Sequence, residues 1–277
     1  MQQPSSGNTC AIHKLDNRQL FVSEPPPEWF GNAPNEPERT GWTNTNWLKS
    51  RFHFSFAEYS DASNQNFGAL RVMNDDLVQP ARGFGTHGHT NAEICTYIVD
   101  GELTHKDSMG TAETLTRGAI QFMSAGTGVR HSEHNLNKER HLRFIQMWMT
   151  PAKQGLAPHY GSFQGVPEER KNRWAHLVSD SRSSATPKTP VQIYADINMF
   201  VTELDEGVTL TLTVGAGRQA YILCIEGSTE IGDGSGGSQT LTRHDAATLS
   251  IGQSAELNFV GGASGGAHVL VVEMKVQ

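Results

Sequence analysis

Three histidines and one glutamate stand in the sequence as two ligand pairs. His87 and His89 are separated by one residue, and further along the chain His131 and Glu133 are also separated by one residue. Side chains at positions i and i+2 of a β-strand point to the same face. Two such strands around one interior would bring three imidazoles and a carboxylate to one ion. That ligand set suits a first-row transition metal and leaves coordination positions open, so the spacing predicts a mononuclear metal site.

The segments that must position these residues have the pattern of short β-strands. Apolar and polar residues alternate over 52–56, and strand-forming runs follow at 68–73, 94–99 and 141–149, separated by glycines and turn residues. The polar run 74–76 (Asn-Asp-Asp) is interpreted as a turn that ends the strand before it. This pattern of short strands and turns predicts an all-β chain built as antiparallel sandwiches or barrels.

Composition divides the chain into four segments. Residues 1–45 are rich in Pro, Asn, Ser and Gly and predict an irregular N-terminal arm. Residues 46–165 predict a first β domain that holds the metal site. A linker is predicted at 166–190, with a short helix over 167–174. Residues 191–277 return to strand patterns and predict a second β domain without a metal site.

The two β domains share an internal repeat. Ile98–Gly101 resembles Cys224–Gly227 at an offset of 126 residues (224 − 98). Leu115–Gly118 resembles Leu241–His244 at the same offset (241 − 115). A shared offset indicates two copies of one β unit.

The offset also tests the metal hypothesis. Applied to the four candidate ligands, it gives positions that hold no good ligand for a transition metal, namely Thr213, Gly215, Leu257 and Phe259. The second copy is therefore expected to keep the scaffold and lack the site. This expectation assumes that no insertion separates the two copies near those positions.

Composition and charge exclude several classes of protein. The chain has 277 residues, 36% hydrophobic content and a formal charge of −7, which argue against a membrane protein and against a broad nucleic-acid surface. Neither a run of apolar residues long enough to cross a membrane nor a signal peptide is visible. Three cysteines without CxxC spacing indicate reduced thiols. We therefore expect an intracellular, cytoplasmic protein, and a monomer.

At this point the residues resemble a known family. The order His87-x-His89-x3-Glu93 with a later His131-x3-Asn135 is similar to the two cupin motifs, and the segments 47–59, 68–76 and 123–133 resemble pirin-family proteins. The resemblance covers about residues 46–163. It implies a bicupin with one metal, usually iron, in the first cupin. It also implies His87, His89, His131 and Glu133 as the ligands. Gly88 departs from the usual proline of the family.

The resemblance implies two functions that the sequence leaves open. Some pirins oxidise the flavonol quercetin with dioxygen, and here a bound divalent ion with Glu133 as general base would activate the flavonol hydroxyl. Animal pirin is a nuclear, iron-dependent cofactor of transcription factors, which would make this chain a non-catalytic binding module for a regulatory protein. A cupin acting on another small metabolite is a third reading. An open apolar pocket above the metal would favour the enzyme.

Other properties stay open from the sequence. Iron(II) is expected from the resemblance alone, since manganese, cobalt, nickel or copper would suit the same ligands. Glu93 is interpreted as a structural residue or one that supports a ligand, because pirins take the glutamate of the second motif as ligand instead. His105 is interpreted as structural.

Overall fold

The computed structural model describes residues 11–34, 47–183, 188–233, 237–250, 254–263 and 265–276. Regular structure in these residues is almost entirely β-strand, which confirms the predicted all-β class. The described helices are the short α-helix α1 (Pro167–Arg170) and two 3-10 helices, Asn17–Gln19 and Pro27–Phe30. None of them is long and apolar enough to cross a membrane.

The strands of the described residues alternate with short turns along the whole chain. In order they are β1 (Ala11–Leu15), β2 (Phe21–Ser23), β3 (Leu48–Phe52), β4 (Leu70–Val78), β5 (Arg82–His89), β6 (Glu93–Asp100), β7 (Glu102–Asp107), β8 (Ala112–Thr116), β9 (Ala119–Ser124), β10 (Val129–Asn135), β11 (Leu142–Met149), β12 (His159–Gln164), β13 (Ala175–Asp180), β14 (Val191–Ile193), β15 (Ile197–Leu204), β16 (Thr209–Val214), β17 (Arg218–Gly232), β18 (Ser238–Thr242), β19 (Ala246–Ser250), β20 (Ala255–Gly261) and β21 (Ala267–Lys275).

The chain divides into two compact units. The N-terminal unit consists of Leu20–Val166 and Val178–Asp196. The C-terminal unit consists of Pro167–Leu177 and Ile197–Gln277, with an N-terminal segment that ends at Gln19.

The N-terminal unit is built from two sheets that share one core. One sheet has the strand order β12-β9-β6-β11-β4-β3-β2, and the other has the order β5-β10-β7-β8. Ile98 and Phe144 of the first sheet are buried in one cluster with Leu103 and Leu115 of the second. The sheets therefore pack face to face, and the burial of these apolar side chains stabilises the unit.

The C-terminal unit repeats this design. Its first sheet contains β1-β19-β17-β21-β15, while β16, β20, the second half of β17 and β18 pair with one another. Ile222 and Leu249 of the first group are buried with Leu212, Leu241 and Phe259 of the second in one core. Each copy thus closes its own hydrophobic core.

Matching strand positions confirm the internal repeat. β18 lies 126 residues after β8 (238 − 112), and β20 lies 126 residues after β10 (255 − 129). Each pair of strands also has the same length. The offset read from the sequence therefore relates two copies of one β unit.

The turn predicted at 74–76 is wrong. These residues continue β4, which runs unbroken from Leu70 to Val78. Asn74 pairs with Phe52 on β3 and with Gln146 on β11, so neighbouring strands satisfy the backbone on both sides. Pairing with two neighbours outweighs the weak local preference of Asn and Asp for turns.

The predicted arm and linker contain regular structure. Within the arm, β1 pairs with β19, and β2 pairs with β3 at the end of the seven-stranded sheet. Within the linker lie α1 and the whole of β13, which pairs in parallel with β14 beyond the linker. Residues 1–10 and 35–45 of the arm and 184–187 of the linker are outside the described residues. The predicted domain boundaries remain predictions.

Candidate metal centre

Two antiparallel strands bring three histidines together. On the ladder between β5 and β10, His131 lies opposite His87 and Val129 lies opposite His89. The ring centroids of the three histidines are 4.5 to 4.9 Å apart. Each histidine offers a ring nitrogen within 4.8 Å of the others. The structure thus brings the three histidines together, while Glu133 lies in a second group with His131 and His105.

A β-bulge in β5 sets which side chains face that interior. The register shifts between His131, which is opposite His87, and Glu133, which is opposite Phe84. Over this stretch β5 has one more residue than β10, and the extra residue reverses the alternation of the strand. The two histidines of β5 are consequently part-buried. Thr86, which lies within the bulge and precedes His87, is exposed.

The bulge changes which residues of the second copy match the two histidines of β5. The ladder between β16 and β20 is regular, with Leu212 opposite Leu257 and Val214 opposite Ala255. The counterparts of His87 and His89 are therefore Leu212 and Val214, one residue before the positions given by the simple offset. The assumption of no insertion fails by the one residue of the bulge. All four counterparts, Leu212, Val214, Leu257 and Phe259, are buried apolar residues of the core.

The histidine geometry fits a bound transition metal. Nε2 of His87 and Nε2 of His131 are 3.1 Å apart. Two nitrogens bound at about 2.1 Å and at a right angle to each other would be about 3.0 Å apart. The backbone oxygen of Gly85 lies 2.8 Å from Nδ1 of His87. Because a carbonyl oxygen can only accept a hydrogen bond, Nδ1 carries the hydrogen and the lone pair of Nε2 faces the site. The residues present therefore suit a metal ion.

The electrostatics keep the imidazoles neutral. Burial, followed by the nearby His131 and His87, lowers the pKa of His89 to about 4. Burial, followed by His87 and His105, lowers the pKa of His131 to about 3. Both side chains are neutral near pH 7, and the neutral imidazole is the form that binds a metal.

Glu133 is held by two carboxamide donors. Its Oε1 accepts a hydrogen bond from Nε2 of Gln121 at 2.9 Å, while the nearby hydroxyl of Thr96 donates its one hydrogen to Oε1 of Gln146 at 2.6 Å. Its Oε2 accepts a hydrogen bond from Nε2 of Gln146 at 3.0 Å. The carboxylate is 98% buried, so these donors compensate for the water that it has lost.

The donors to Glu133 belong to a row of polar residues across the facing sheet. Successive partners on β4, β11, β6, β9 and β12 are Asn74, Gln146, Thr96, Gln121 and Ser162. We call these five residues the polar row. Its middle members hold the carboxylate of the opposite sheet in place. Sequence patterns did not reveal the row, because its members are adjacent only through strand pairing.

His105 lies in the same core, on the far side of His131. Its ring centroid is 5.3 Å from that of His131, and its nitrogen forms a second ligand group with His131 and Glu133. Nε2 of His105 is 3.2 Å from Oδ2 of Asp107, and its ring stacks on Tyr160. Sequence reading placed it among structural residues, whereas the structure places it beside a candidate ligand.

Glu93 is used as a structural anchor. One carboxylate oxygen accepts hydrogen bonds from the Ser124 hydroxyl and from the backbone of Tyr194, and the other accepts one from the backbone of Ala195. The carboxylate is 99% buried among these donors. Its bonds hold residues 194–195 against β6 and β9 within the N-terminal unit.

A cavity leads from the candidate ligands to the surface. It encloses about 720 Å³ of empty space, including its open mouth, and His87, His89 and Glu133 are in its wall. The rest of the wall includes the aromatic side chains of Phe52, Phe56, Phe84 and Trp148. The 3-10 helix Pro27–Phe30 adds Phe30 and the exposed Trp29. No pattern in the sequence indicates that the N-terminal arm lines the site.

One glycine lets that helix approach. A Cβ atom on Gly85 would lie 2.8 Å from the backbone oxygen of Phe30. Because backbone cannot give way as a flexible side chain can, only glycine fits there. The bulged segment of β5 thus both orients the histidine pair and accepts the aromatic wall of the cavity.

The two β units, one with a histidine cluster and one with an apolar core, define a bicupin. A pirin family model matches residues 35–149, and a model of the quercetinase C-terminal cupin domain matches residues 181–274. The chain is 38% identical to a pirin-like protein of Caulobacter vibrioides over 70% of this chain and 82% of that one. It therefore belongs to the pirin family, as the sequence motifs indicate.

Further relatives and structures agree with this assignment. A protein of Escherichia coli named quercetin 2,3-dioxygenase is 35% identical over 69% of this chain and 80% of its own length. The crystal structure of the bacterial pirin YhhW from E. coli in complex with nickel(II) is similar with a TM-score of 0.71 and 27% identity. That comparison covers 94% of this chain and all of the other.

Proposed function

We propose that this pirin-family protein is a metal-dependent oxidoreductase that cleaves flavonols in the manner of quercetin 2,3-dioxygenases. The observation that supports the proposal is the cavity, in whose wall two of the three converging histidines and Glu133 lie beside aromatic side chains, and which opens to solvent. The relative from E. coli carries the name of this activity. The substrates would be a flavonol and dioxygen, and the products a depside and carbon monoxide.

His87, His89, His131 and Glu133 would hold one divalent ion. The 3.1 Å approach of two imidazole nitrogens and the apolar counterparts in the other unit support this set. When bound, the ion would supply Lewis-acid chemistry that lowers the pKa of the flavonol hydroxyl. We take iron(II) as the native ion, and the nickel(II) complex of YhhW makes nickel the first alternative to test.

Glu133 would be the general base for the flavonol hydroxyl. Gln121 and Gln146 fix its carboxylate beside the cavity, so it needs no reorientation before it accepts a proton. The aromatic residues of the wall would pack against the flat faces of the substrate and exclude water from the ligands.

The test is reconstitution of the full chain with iron(II) without oxygen, followed by quercetin and air. Loss of the flavonol absorbance with release of carbon monoxide is the expected result. The variant His87→Ala/His131→Ala should show neither metal binding nor turnover. The matched control is His141→Ala, which removes a histidine that is paired with Asp100 away from the cavity.

A carboxylate variant separates the roles of Glu133. Glu133→Gln should lose metal affinity and turnover together, whereas Glu102→Gln, the same change at an exposed residue of β7, should lose neither. Full metal content with full turnover in Glu133→Gln would refute the role of general base. Stoichiometric iron without turnover in the unmodified protein would refute the enzyme and support a metal-loaded binding module.

A further inference from the structure

A strip of polar side chains lies in the cavity wall and has no part in the reaction described above. It consists of Ser50 on β3 and of Asn74 and Asp76 on β4, and we call it the polar strip. Each residue is at least 96% buried. Within the part of the chain that the structure describes, the carboxamide oxygen of Asn74 has no hydrogen-bond partner. A buried acceptor of this kind costs stability unless a ligand or water donates to it.

Asp76 complements Asn74 as a donor. Burial, with the negative charges of Asp75 and Glu133, raises the pKa of Asp76 to about 8, although Ser50 acts in the opposite direction. The carboxyl group is therefore mostly protonated near pH 7 and has a hydrogen to donate. The strip thus offers an acceptor on Asn74 and a donor on Asp76, two residues apart on β4.

The strip leads away from the candidate metal ligands. Asn74 is opposite Gln146, which donates to Glu133. The strip therefore begins on β4, the strand next to the one that carries this donor. Asp76 is two residues further along β4, about 7 Å away on the same face. Ser50 is directly opposite Asp76 on β3. A ligand that reaches from Glu133 to Asp76 would lie along the cavity wall.

The surroundings of the strip are aromatic. Phe52 is opposite Asn74 on β3, and the ring of Phe52 is 5.3 Å from that of Phe56 in an edge-to-face arrangement. The ring of Phe56 is in turn 5.3 Å from that of Trp148. A flat ring would contact these side chains, and hydroxyl groups on its edge would meet the strip.

We propose that Asn74, Asp76 and Ser50 form a subsite for the phenolic hydroxyls on the flavonol ring that is remote from the metal-binding oxygens. This inference rests on the proposed function, because it takes a flavonol as the occupant of the cavity. It goes further in predicting which flavonols the protein prefers. Two hydroxyls on that ring would donate to Asn74 and accept from Asp76.

Binding without turnover tests the subsite. The protein would be loaded with nickel(II), kept free of oxygen and titrated with three flavonols that bear two, one or no hydroxyls on the remote ring. All three share the hydroxyl and ketone that would approach the metal. Quenching of tryptophan fluorescence reports the Kd, since Trp29 and Trp148 line the cavity. We expect the dihydroxylated flavonol to bind about 10-fold more tightly than the unsubstituted one.

Variants then assign the preference. Asn74→Leu should bring the ratio of the two Kd values close to one, with metal content unchanged. Ser50→Ala is a smaller change that should reduce the ratio in a protein whose folding is less perturbed. The matched control is Phe52→Leu, which should weaken all three flavonols to the same extent and keep the ratio.

The outcomes separate this inference from the proposed function. Equal affinity of the unmodified protein for all three flavonols would overturn the subsite and leave the proposed function intact, with ordered water as the partner of Asn74. An unchanged ratio in both Asn74→Leu and Ser50→Ala would overturn it as well. Failure of every flavonol to bind would overturn the proposed function together with the subsite.

Discussion

Equivalent strands of the two β units carry potential metal ligands in one unit and an apolar core in the other. In the N-terminal unit the ladder of β5 and β10 has a bulge and turns three histidines and Glu133 inward, while the regular ladder of β16 and β20 turns Leu212, Val214, Leu257 and Phe259 inward. The described residues show no comparable group of potential ligands in the C-terminal unit. One extra residue and four polar side chains therefore distinguish a site from a core.

The facing sheets differ in the same way. The polar row of the N-terminal unit has its counterpart across β15, β21, β17 and β19, where the paired residues are Phe200, Val271, Ile222 and Ala247. All of these side chains are apolar. A buried carboxylate needs donors around it, so the ligand and the row that holds it belong together. The C-terminal unit, which has neither, fills the same space with hydrocarbon.

The largest effect is expected when the ligands are replaced by their counterparts. His87→Leu/His131→Leu introduces the residues of positions 212 and 257 and should reduce bound metal from about one ion to none. The fold should persist, because the C-terminal unit buries leucine at both matching positions. Metal analysis and thermal unfolding check both points, with His141→Leu as control. One equivalent of metal in the double variant would contradict the assignment.

A change of spacing within the histidine pair should have an effect nearly as large. Deletion of Gly88 makes His87 and His89 adjacent, and the alternation of the strand then turns one of them away from the interior. Metal affinity should fall by about 100-fold or more, since one histidine ligand is lost. Competition with a chelator measures this affinity. Gly88→Ala, which keeps the residue count and whose Cβ would come no closer than 3.7 Å to any residue beyond its chain neighbours, should bind as the unmodified protein does, and equal affinity of the deletion variant would refute the role of strand alternation.

Replacement within the polar row should have a smaller effect. Gln146→Leu leaves one oxygen of Glu133 without its donor, and we expect a loss of about 10- to 100-fold in metal affinity. Gln219→Leu, the same change at a buried position of the C-terminal unit, is the control. Unchanged metal affinity in Gln146→Leu would show that the row serves packing alone.

The smallest effect concerns pH. Folding raises the pKa of Asp76 from 3.8 to about 8, so the folded state holds this proton and stability falls as pH rises toward 8. His89 and His131 act in the opposite sense, but only below their ordinary pKa of 6.5. Between pH 6.5 and 8 the metal-free protein should therefore lose up to about 1.4 kcal/mol per pH unit through Asp76.

Asp76→Asn tests this slope, because asparagine cannot titrate. The melting temperature of the metal-free variant should change less between pH 6.5 and 8 than that of the unmodified protein. The difference should amount to about 2–4 °C per pH unit. Parallel curves for the two proteins would exclude Asp76 as the titrating group.

The sequence predicted the all-β fold, the repeat and the meeting of His87, His89 and His131 because all three depend on regular periodicity. Strand alternation places residues i and i+2 together, and duplication leaves a constant offset. A bulge interrupts the period, so the counterparts in β16 were misplaced by one residue. Such an irregularity leaves no signal in the alternation itself.

Features that depend on distant pairing could not be predicted. Asn74 and Asp76 have the composition of a turn, and only their pairing with β3 and β11 makes them part of the cavity wall. The polar row joins five strands that are separated along the chain. The arm that supplies Trp29 and Phe30 reaches the cavity through the pairing of β2 with β3.

The most direct test of the account is an anomalous difference map from crystals of the full chain grown with nickel(II). We expect one peak in each molecule, bonded by His87, His89, His131 and Glu133, and no peak in the C-terminal unit. A peak bonded by other residues, or a second peak of equal height among Leu212, Leu257 and Phe259, would contradict the claim that one of the two repeated units carries the metal chemistry.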